Sequence, residues 1–413
     1  MERKVLSAVL VLGAQWLAFA ASAQTAPPPA APTPAVPTPA GQTAEELQES
    51  RGGTHVTPTM AKTQGFLGKT EIGGFVSGGY LYRLGMPRSG AASTGGTELL
   101  GRSFDNQHNE VMLNKFKLTF ENPVEYSAEK WDAGFRADLL FGQDAKTIQA
   151  NGLSLGNQGD VEQAYVTVNA PIGRGLQISV GKWVTLQGID LIEEVANPTW
   201  SAGNQFLFLE AFTMTGVQLS YHFTDTVDAQ LRMINGWDQV KDVNNGKSFL
   251  GRIGWAPSAD TSVALLGSAG PEQAGNSSNW RYTGEMVVTQ KLPNSFTVML
   301  QGDWGREERA AVGRDHSDWY AGGLWFTWDA SERLGLAFRG DWMKDIDGTR
   351  TALWFARASG VDETLASGTL TANWKPVENL QVRPEVRLDH ASQKSFEGQD
   401  QRITLGCGVA YLF

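Results

Sequence analysis

Asp190, Glu193 and Glu194 crowd one short stretch of a 413-residue chain, just before Asn197-Pro198. Carboxylates this close, set against an arginine-lined surface, would create a strong transverse field, the chemistry of a charged constriction rather than of bond-making. Bond-making candidates are few. The histidines are His55, His108, His222, His316 and His390, and Cys407 is the sole cysteine, so no intrachain disulfide can form. Ser220 and His222 lie two apart and invite a hydrolase reading. Asp238, Asp242, Asn244 and Asn245 carry oxygens of the kind that hold Ca²⁺, although the same residue types make turns. No phosphate loop, thiolate pair or histidine cluster occurs, so no cofactor is expected.

The elements that must position these groups show in the spacing of the other charges. Lys115, Lys117, Arg136, Arg232, Arg252, Arg281, Arg339, Arg383 and Arg387 fall on alternate residues, interleaved with apolar ones. Period two is the signature of a β-strand with one polar and one apolar face. The end of the chain shows it cleanly: Ile403, Leu405, Cys407, Val409, Tyr411 and Phe413 share one face, and Thr404, Gly406, Gly408 and Ala410 the other. From Thr70 onward the same pattern recurs sixteen times, with strands expected at 70–84, 109–121, 130–142, 161–170, 175–187, 211–223, 227–237, 248–256, 261–269, 280–291, 295–305, 318–328, 333–344, 364–374, 379–390 and 400–413. Short turns such as Asn122-Pro123, Pro293-Asn294 and Lys375-Pro376 alternate with longer polar connections. That is the rhythm of an antiparallel up-and-down transmembrane β-barrel. Sixteen strands leave a water-filled lumen.

Aromatic residues gather at the strand ends. Tyr221, Phe223, Trp255, Phe326, Trp328, Trp374, Tyr411 and Phe413 mark one rim, and Trp280, Tyr282, Trp304, Tyr320 and Trp342 the other. Two such girdles belong at membrane–water interfaces. The charged face then lines the lumen, with Trp183, Trp319 and Trp325 also inward. Ser220 and His222 fall near the rim remote from external substrates. Lys182 conflicts with its apolar face unless a bulge at Gly181 turns it inward. Segment 188–209 is the candidate constriction, because Ile189, Leu191, Ile192, Trp200, Phe206, Leu207 and Phe208 are too many apolar residues for a freely exposed loop. An extracellular lid is the alternative.

Residues 1–23 read as a signal peptide, with Arg3 and Lys4 ahead of an apolar run and Ala21-Ser22-Ala23 as the cleavage site. Residues 24–69 read as a Pro/Ala-rich linker, extended and unpacked in its Pro-dense part and loop-like over 46–68. The barrel takes 70–413. No segment supplies the roughly 20 apolar residues of a transmembrane helix. A formal charge of -10 without a basic run argues against nucleic-acid partners.

Gly181-Lys182-Trp-Val-Thr-Leu-Gln-Gly188-Ile-Asp190, Asn197-Pro198, Thr215-Gly216-Val217 and Asn235-Gly-Trp-Asp238 with Asn244-Asn245 resemble the OmpL-like β-barrel porins of bacterial outer membranes. The pattern departs from the family at Asp190, where Glu is expected, and at Trp200-Ser201. The resemblance implies a porin-like channel and hands over no site residues. The expectation is passive diffusion of small hydrophilic solutes or ions across the outer membrane, without enzymatic activity. A sugar- or organic-acid-specific channel, a plugged structural barrel and, more remotely, a hydrolase are the alternatives. The expected partners are the lipid bilayer, the assembly machinery that reads the C-terminal strand, and two further copies in a homotrimer.

Overall fold

Sixteen strands wind in chain order into one closed antiparallel barrel: β1 (Glu71–Leu84), β2 (Glu110–Asn122), β3 (Asp132–Phe141), β4 (Gly159–Ala170), β5 (Leu176–Val184), β6 (Thr213–His222), β7 (Val227–Trp237), β8 (Ser248–Ser258), β9 (Thr261–Pro271), β10 (Trp280–Leu292), β11 (Phe296–Glu308), β12 (His316–Ser331), β13 (Leu334–Asp345), β14 (Glu363–Val377), β15 (Leu380–Ala391) and β16 (Gln401–Leu412). The computed structural model describes residues 69–86 and 98–413, with the backbone of Ala61–Lys62. The expected signal peptide and nearly all of the expected linker lie outside the described residues. Ala61–Lys62 pairs with Ile72 and Glu71 of β1, a two-residue strand where a loop is expected.

Closure is made by β16 on β1, in register from Ile403↔Leu84 to Leu412↔Phe75. Gly74 and Phe413 complete the seam with reciprocal backbone hydrogen bonds of 2.9 Å. Without that pairing two strand edges would leave their amides unsatisfied in hydrocarbon, at several kcal/mol each. Both strand ends at the seam fall at the short-turn end, where the connections are as brief as 259–260 and 332–333. The expected strands match these bounds to within about three residues, β12 and β14 running longest beyond them.

The two faces sort cleanly. Val180, Leu265, Leu300, Leu324 and Leu370 point outward, as do Trp304, Tyr320 and Trp342 at one rim and Trp255, Trp374 and Tyr411 at the other. Trp183, Trp319 and Trp325 are buried inside with most of the inward charges, while Arg136, Asp228 and Arg281 are only partly buried. Cys407 is a half-buried free thiol. Lys182 is buried too: Gly181 takes φ +147°, and the Lys182 ammonium donates to Asp160 at 2.9 Å and to the Val161 carbonyl at 2.7 Å. The apolar row is thus relieved of the charge that alternation assigned to it.

Two register shifts break the alternation where it matters most. Ser77↔Lys115 is followed by Gly78↔Leu113, which bulges Asn114 out of the ladder, and Asp138↔Gln163 is followed by Leu139↔Val161, which bulges Glu162. A bulge adds a residue to one face and re-aims its neighbours. Here both enrich the inner wall beside Lys115 and Lys117.

The long-loop end is covered from within. Helix α1 (Ala145–Ile148) and helix α2 (Asn204–Leu209), with Phe206 and Phe208, pack with Phe104, Phe212, Phe355 and Phe396 into one apolar cluster drawn from five loops.

The outward apolar row fixes the membrane contact, so a charge placed there should be costly. Leu324→Arg is expected to destabilise the barrel by about 2–4 kcal/mol. Denaturant unfolding from lipid vesicles checks this, against Leu324→Ala as reference.

Candidate functional site

Residues 185–212, between β5 and β6, enter the lumen instead of standing above it. Ile189, Leu191, Ile192, Trp200, Phe206, Leu207 and Phe208 are all buried, which excludes a freely exposed lid. The chain turns locally through Asn197, whose side chain bonds both the amide and the carbonyl of Leu191 at 2.8 Å. This mimics one rung of a strand pair and closes the loop 191–197, with a 3₁₀ turn at Glu194–Ala196 inside it.

Three sets of contacts hold the loop. The first is on β2. Lys117 contacts Asp138 at 3.0 Å and Glu162 at 2.8 Å and pairs with Glu193. Lys115 contacts Asp144 at 2.8 Å and pairs with Glu194, which also accepts the Ser77 hydroxyl. Glu193 and Glu194 therefore meet lysines in direct contact, not arginines across a gap. Burial raises the Glu193 carboxyl, but the Lys117 charge and hydrogen bond more than offset this and hold it below its ordinary pKa. This pair favours the seated loop at neutral pH, and that contribution is lost as pH falls through the lowered pKa. Asp138, Glu162 and Glu193 place oxygens within 4.8 Å of one another, a spacing that suits a metal ion, but the Lys117 ammonium already contacts all three.

The second set is on β13 and β15. Asp190 accepts Arg339 at 3.2 Å, the Trp325 indole at 3.2 Å and the Gly203 amide at 2.7 Å. Burial nevertheless holds its carboxyl above the usual range. Arg339 also donates to Thr199 Oγ1 at 2.7 Å and to the Ser201 carbonyl. Arg383 donates to the Glu194 and Asn197 carbonyls, and Arg387 to the Ala202 carbonyl at 2.7 Å. Glu385 accepts the Trp200 amide at 2.8 Å and the Ser201 amide at 3.1 Å. On β10 and β11, Glu285 and Gln301 accept the amides of Gly188 and Ile189 at 2.8 and 2.9 Å.

The third is steric. The Trp200 ring lies on a bed of Gly79, Gly406 and Gly408, where an added Cβ would come within 2.4 Å of the indole. The small residues of the last strand are thus the floor on which the loop's aromatic rests, at the seam that closes the barrel.

Of the expected lumen residues, Lys115, Lys117, Arg339, Arg383 and Arg387 meet the loop together with Asp190, Glu193 and Glu194. Four others are placed inward but engaged elsewhere. Arg136 pairs with Asp138 and Glu121, Arg252 with Asp228, and Arg281 with Glu307. Arg232 bonds Gln218 at 2.6 Å and the Val184 carbonyl at 2.8 Å. Strict alternation puts Glu162 on the lipid face, and only the bulge brings it inward. Nothing in the spacing marks Glu210, which closes the loop's far leg.

The other chemical candidates resolve into structure. Ser220 accepts from Gln218 at 3.0 Å, and the His222 ring lies edge-on to Tyr126, 4.3 Å between centroids. Asp242 accepts the amides of Asn244 and Asn245 at 2.9 and 2.7 Å and pairs with Lys247, and Asp238 accepts those of Phe212 and Thr213, so these residues form turns.

A family model described as "Putative beta-barrel porin-2, OmpL-like" matches residues 69–413. The chain belongs to this family of β-barrel porins. Among solved structures, this porin is similar to the outer-membrane channel DcaP of Acinetobacter baumannii (TM-score 0.54, 13% identity, covering 86% of this chain and 100% of that one). It is similar also to OmpT of Vibrio cholerae (0.56, 11%, 86% and 100%) and to an anion-selective porin from Comamonas acidovorans (0.58, 8%, 83% and 99%). At such identities the likeness is one of fold. No curated protein sequence matches the chain. Family and fold are those of outer-membrane channels.

Removing one member of a buried charge cluster strands the rest, at a cost of about 3–5 kcal/mol. Lys117→Met is therefore expected to unseat the loop and expose 185–212 to limited proteolysis in the folded barrel. Lys130→Met, which breaks only the exposed pair with Glu125, is expected to leave the digest unchanged.

Proposed function

We propose that this porin lets small hydrophilic solutes and ions diffuse passively across the outer membrane, through a lumen narrowed by the loop at 185–212. The observation that carries the reading is the seating of that loop, clamped to the inner wall from β10 round to β2 by the contacts described above. Asp190, Glu193 and Glu194 act in it mainly as anchors, fixing the position of the constriction more than projecting free charge into it. Among the described residues, the inner face of β3 to β8 carries no comparable clamp. Its partly accessible polar groups, Arg136, Gln218 and Asp228, with Glu121 at the adjoining end of β2, give a wetted path of mixed sign. Mixed sign argues for weak charge preference.

In the same reading the short-turn end faces the periplasm, residues 1–23 are removed on export, and 24–69 tether or trail on the periplasmic side. The C-terminal strand is the part read by the assembly machinery. Three copies form the native unit; OmpT of Vibrio cholerae, of the same fold, has a structure in a trimer form. Ser220 and His222 support no hydrolase, since the Ser220 hydroxyl is engaged by Gln218.

Planar-bilayer recording tests the channel directly. The purified protein is expected to give discrete conductance steps, and Trp200→Ala, which removes the ring from its glycine bed, is expected to enlarge them. Absence of any steps would overturn the channel reading in favour of a plugged barrel.

A further inference from the structure

The two legs of the lumen loop meet at a cluster unlike its other anchors. Asp190, Glu193 and Glu194 each lie against a Lys or Arg; Glu210, where the loop returns to β6, is buried and pairs with no Lys or Arg among the described residues. What faces it is acidic or neutral. Glu285 from β10, Asp303 from β11 and Asp190 from the loop itself are the charged groups around it, with the Gln301 amide donating to its Oε1 at 2.9 Å. Its Oε2 is buried with no hydrogen-bond partner. The carboxyl also presses on the opposite leg. An added Cβ at Gly188, where φ is +78°, would lie 2.2 Å from both Glu210 oxygens.

The neighbours are themselves tied to the loop. Glu285 holds the Gly188 amide at 2.8 Å, and Asp303 accepts from Gln205 in α2. The Gln301 amide bridges Glu210 and Asp303, 2.9 Å from Glu210 Oε1 and 3.3 Å from both Asp303 oxygens. Three carboxyl groups thus gather where the entering and leaving legs touch. Like charges gathered in a buried site oppose their joint ionisation while the legs stay together.

We propose that Glu210 is a proton-operated latch on the lumen loop. Protonated, it lets the two legs close on each other and on β10 and β11; ionised, it repels Glu285 and Asp303 and loosens residues 185–212. Burial first, and then Glu285 and Asp303, keep the Glu210 carboxyl well above its ordinary pKa. The sign follows. The closed loop binds the proton more tightly than the open one, so closure weakens as pH rises through the raised pKa. The other end of the loop, held by Glu193 on Lys117, weakens in acid instead. The loop is therefore seated most firmly between the two ranges.

Hydrogen–deuterium exchange of the full-length folded barrel in detergent tests the latch without requiring conduction. Wild type and Glu210→Gln are compared at matched pH from about pH 5 to about pH 9, so that intrinsic exchange cancels. Peptides from 185–212 are expected to exchange alike at low pH and about tenfold faster in wild type at high pH, the equivalent of one pH unit of linkage. Asp303→Asn removes a neighbouring negative charge and is expected to move the wild-type transition to lower pH. Equal exchange of wild type and Glu210→Gln throughout, or no shift with Asp303→Asn, would overturn the latch. The link to conduction alone rests on the proposed function. A latch seen by exchange with no matching pH step in conductance would remove the constriction reading and leave the latch standing.

Discussion

An irregular segment inside a barrel carries backbone amides and carbonyls that must find partners away from bulk water, and this structure is organised around that requirement. Each unpaired group would cost on the order of a few kcal/mol. The partners are charged side chains of the wall: Arg383, Arg387 and Arg339 for loop carbonyls, Glu385 and Glu285 for loop amides. The same device recurs outside the lumen loop, where Arg402 caps the Leu100 carbonyl at 2.8 Å, and Arg350, from the connection after β13, caps the Phe208 carbonyl within the loop at 2.8 Å. A row of inward charges that would merely solvate an empty channel instead serves as a rack of backbone partners.

That use of the wall explains how a wide barrel keeps a defined interior. A closed sheet of sixteen strands is too broad to be filled by its own side chains. The loop supplies the missing material, and its aromatic contacts need space where the wall approaches. Gly79, Gly406 and Gly408 give that space to Trp200 across the β16–β1 seam. Closure of the barrel and seating of the loop are therefore coupled, because the floor beneath Trp200 exists only once the last strand has paired with the first. In the clamped sector, β10 round to β2, the inward Lys115, Lys117, Arg339, Arg383 and Arg387 are buried. The opposite sector, β3 to β8, keeps polar groups such as Arg136, Gln218 and Asp228 partly accessible.

The architecture was legible in the sequence because lipid on one side and water on the other impose period two on every strand. Strand number, girdles and the inward set of Lys and Arg all follow from that rule, and burial of segment 188–209 followed from its excess of apolar residues. The parts that stayed hidden are those that break or exceed the rule. Glu162 alternates with the lipid face and reaches Lys117 only through a bulge, which leaves no mark in composition. Lys182 was legible as a conflict, but its partner Asp160 was not. Glu193 and Glu194 were expected to face arginines across a gap, whereas contact partners depend on where the loop crosses the barrel, which no spacing encodes. The glycines of the last strand looked like simple lumen-facing fillers until a ring from far along the chain was found resting on them.

Residues 185–212 lie inside the barrel with their backbone held by the wall, and Ser201 sits at the heart of that seating, its amide on Glu385 and its carbonyl on Arg339. Labelling by a membrane-impermeant maleimide on intact cells, in a Cys407→Ser background, tests this directly. Ser201→Cys is expected to remain unlabelled until the barrel is unfolded, while Val312→Cys, on a fully exposed loop residue, reacts at once. Labelling of Ser201→Cys in the native barrel at the rate of the Val312→Cys control would contradict the account.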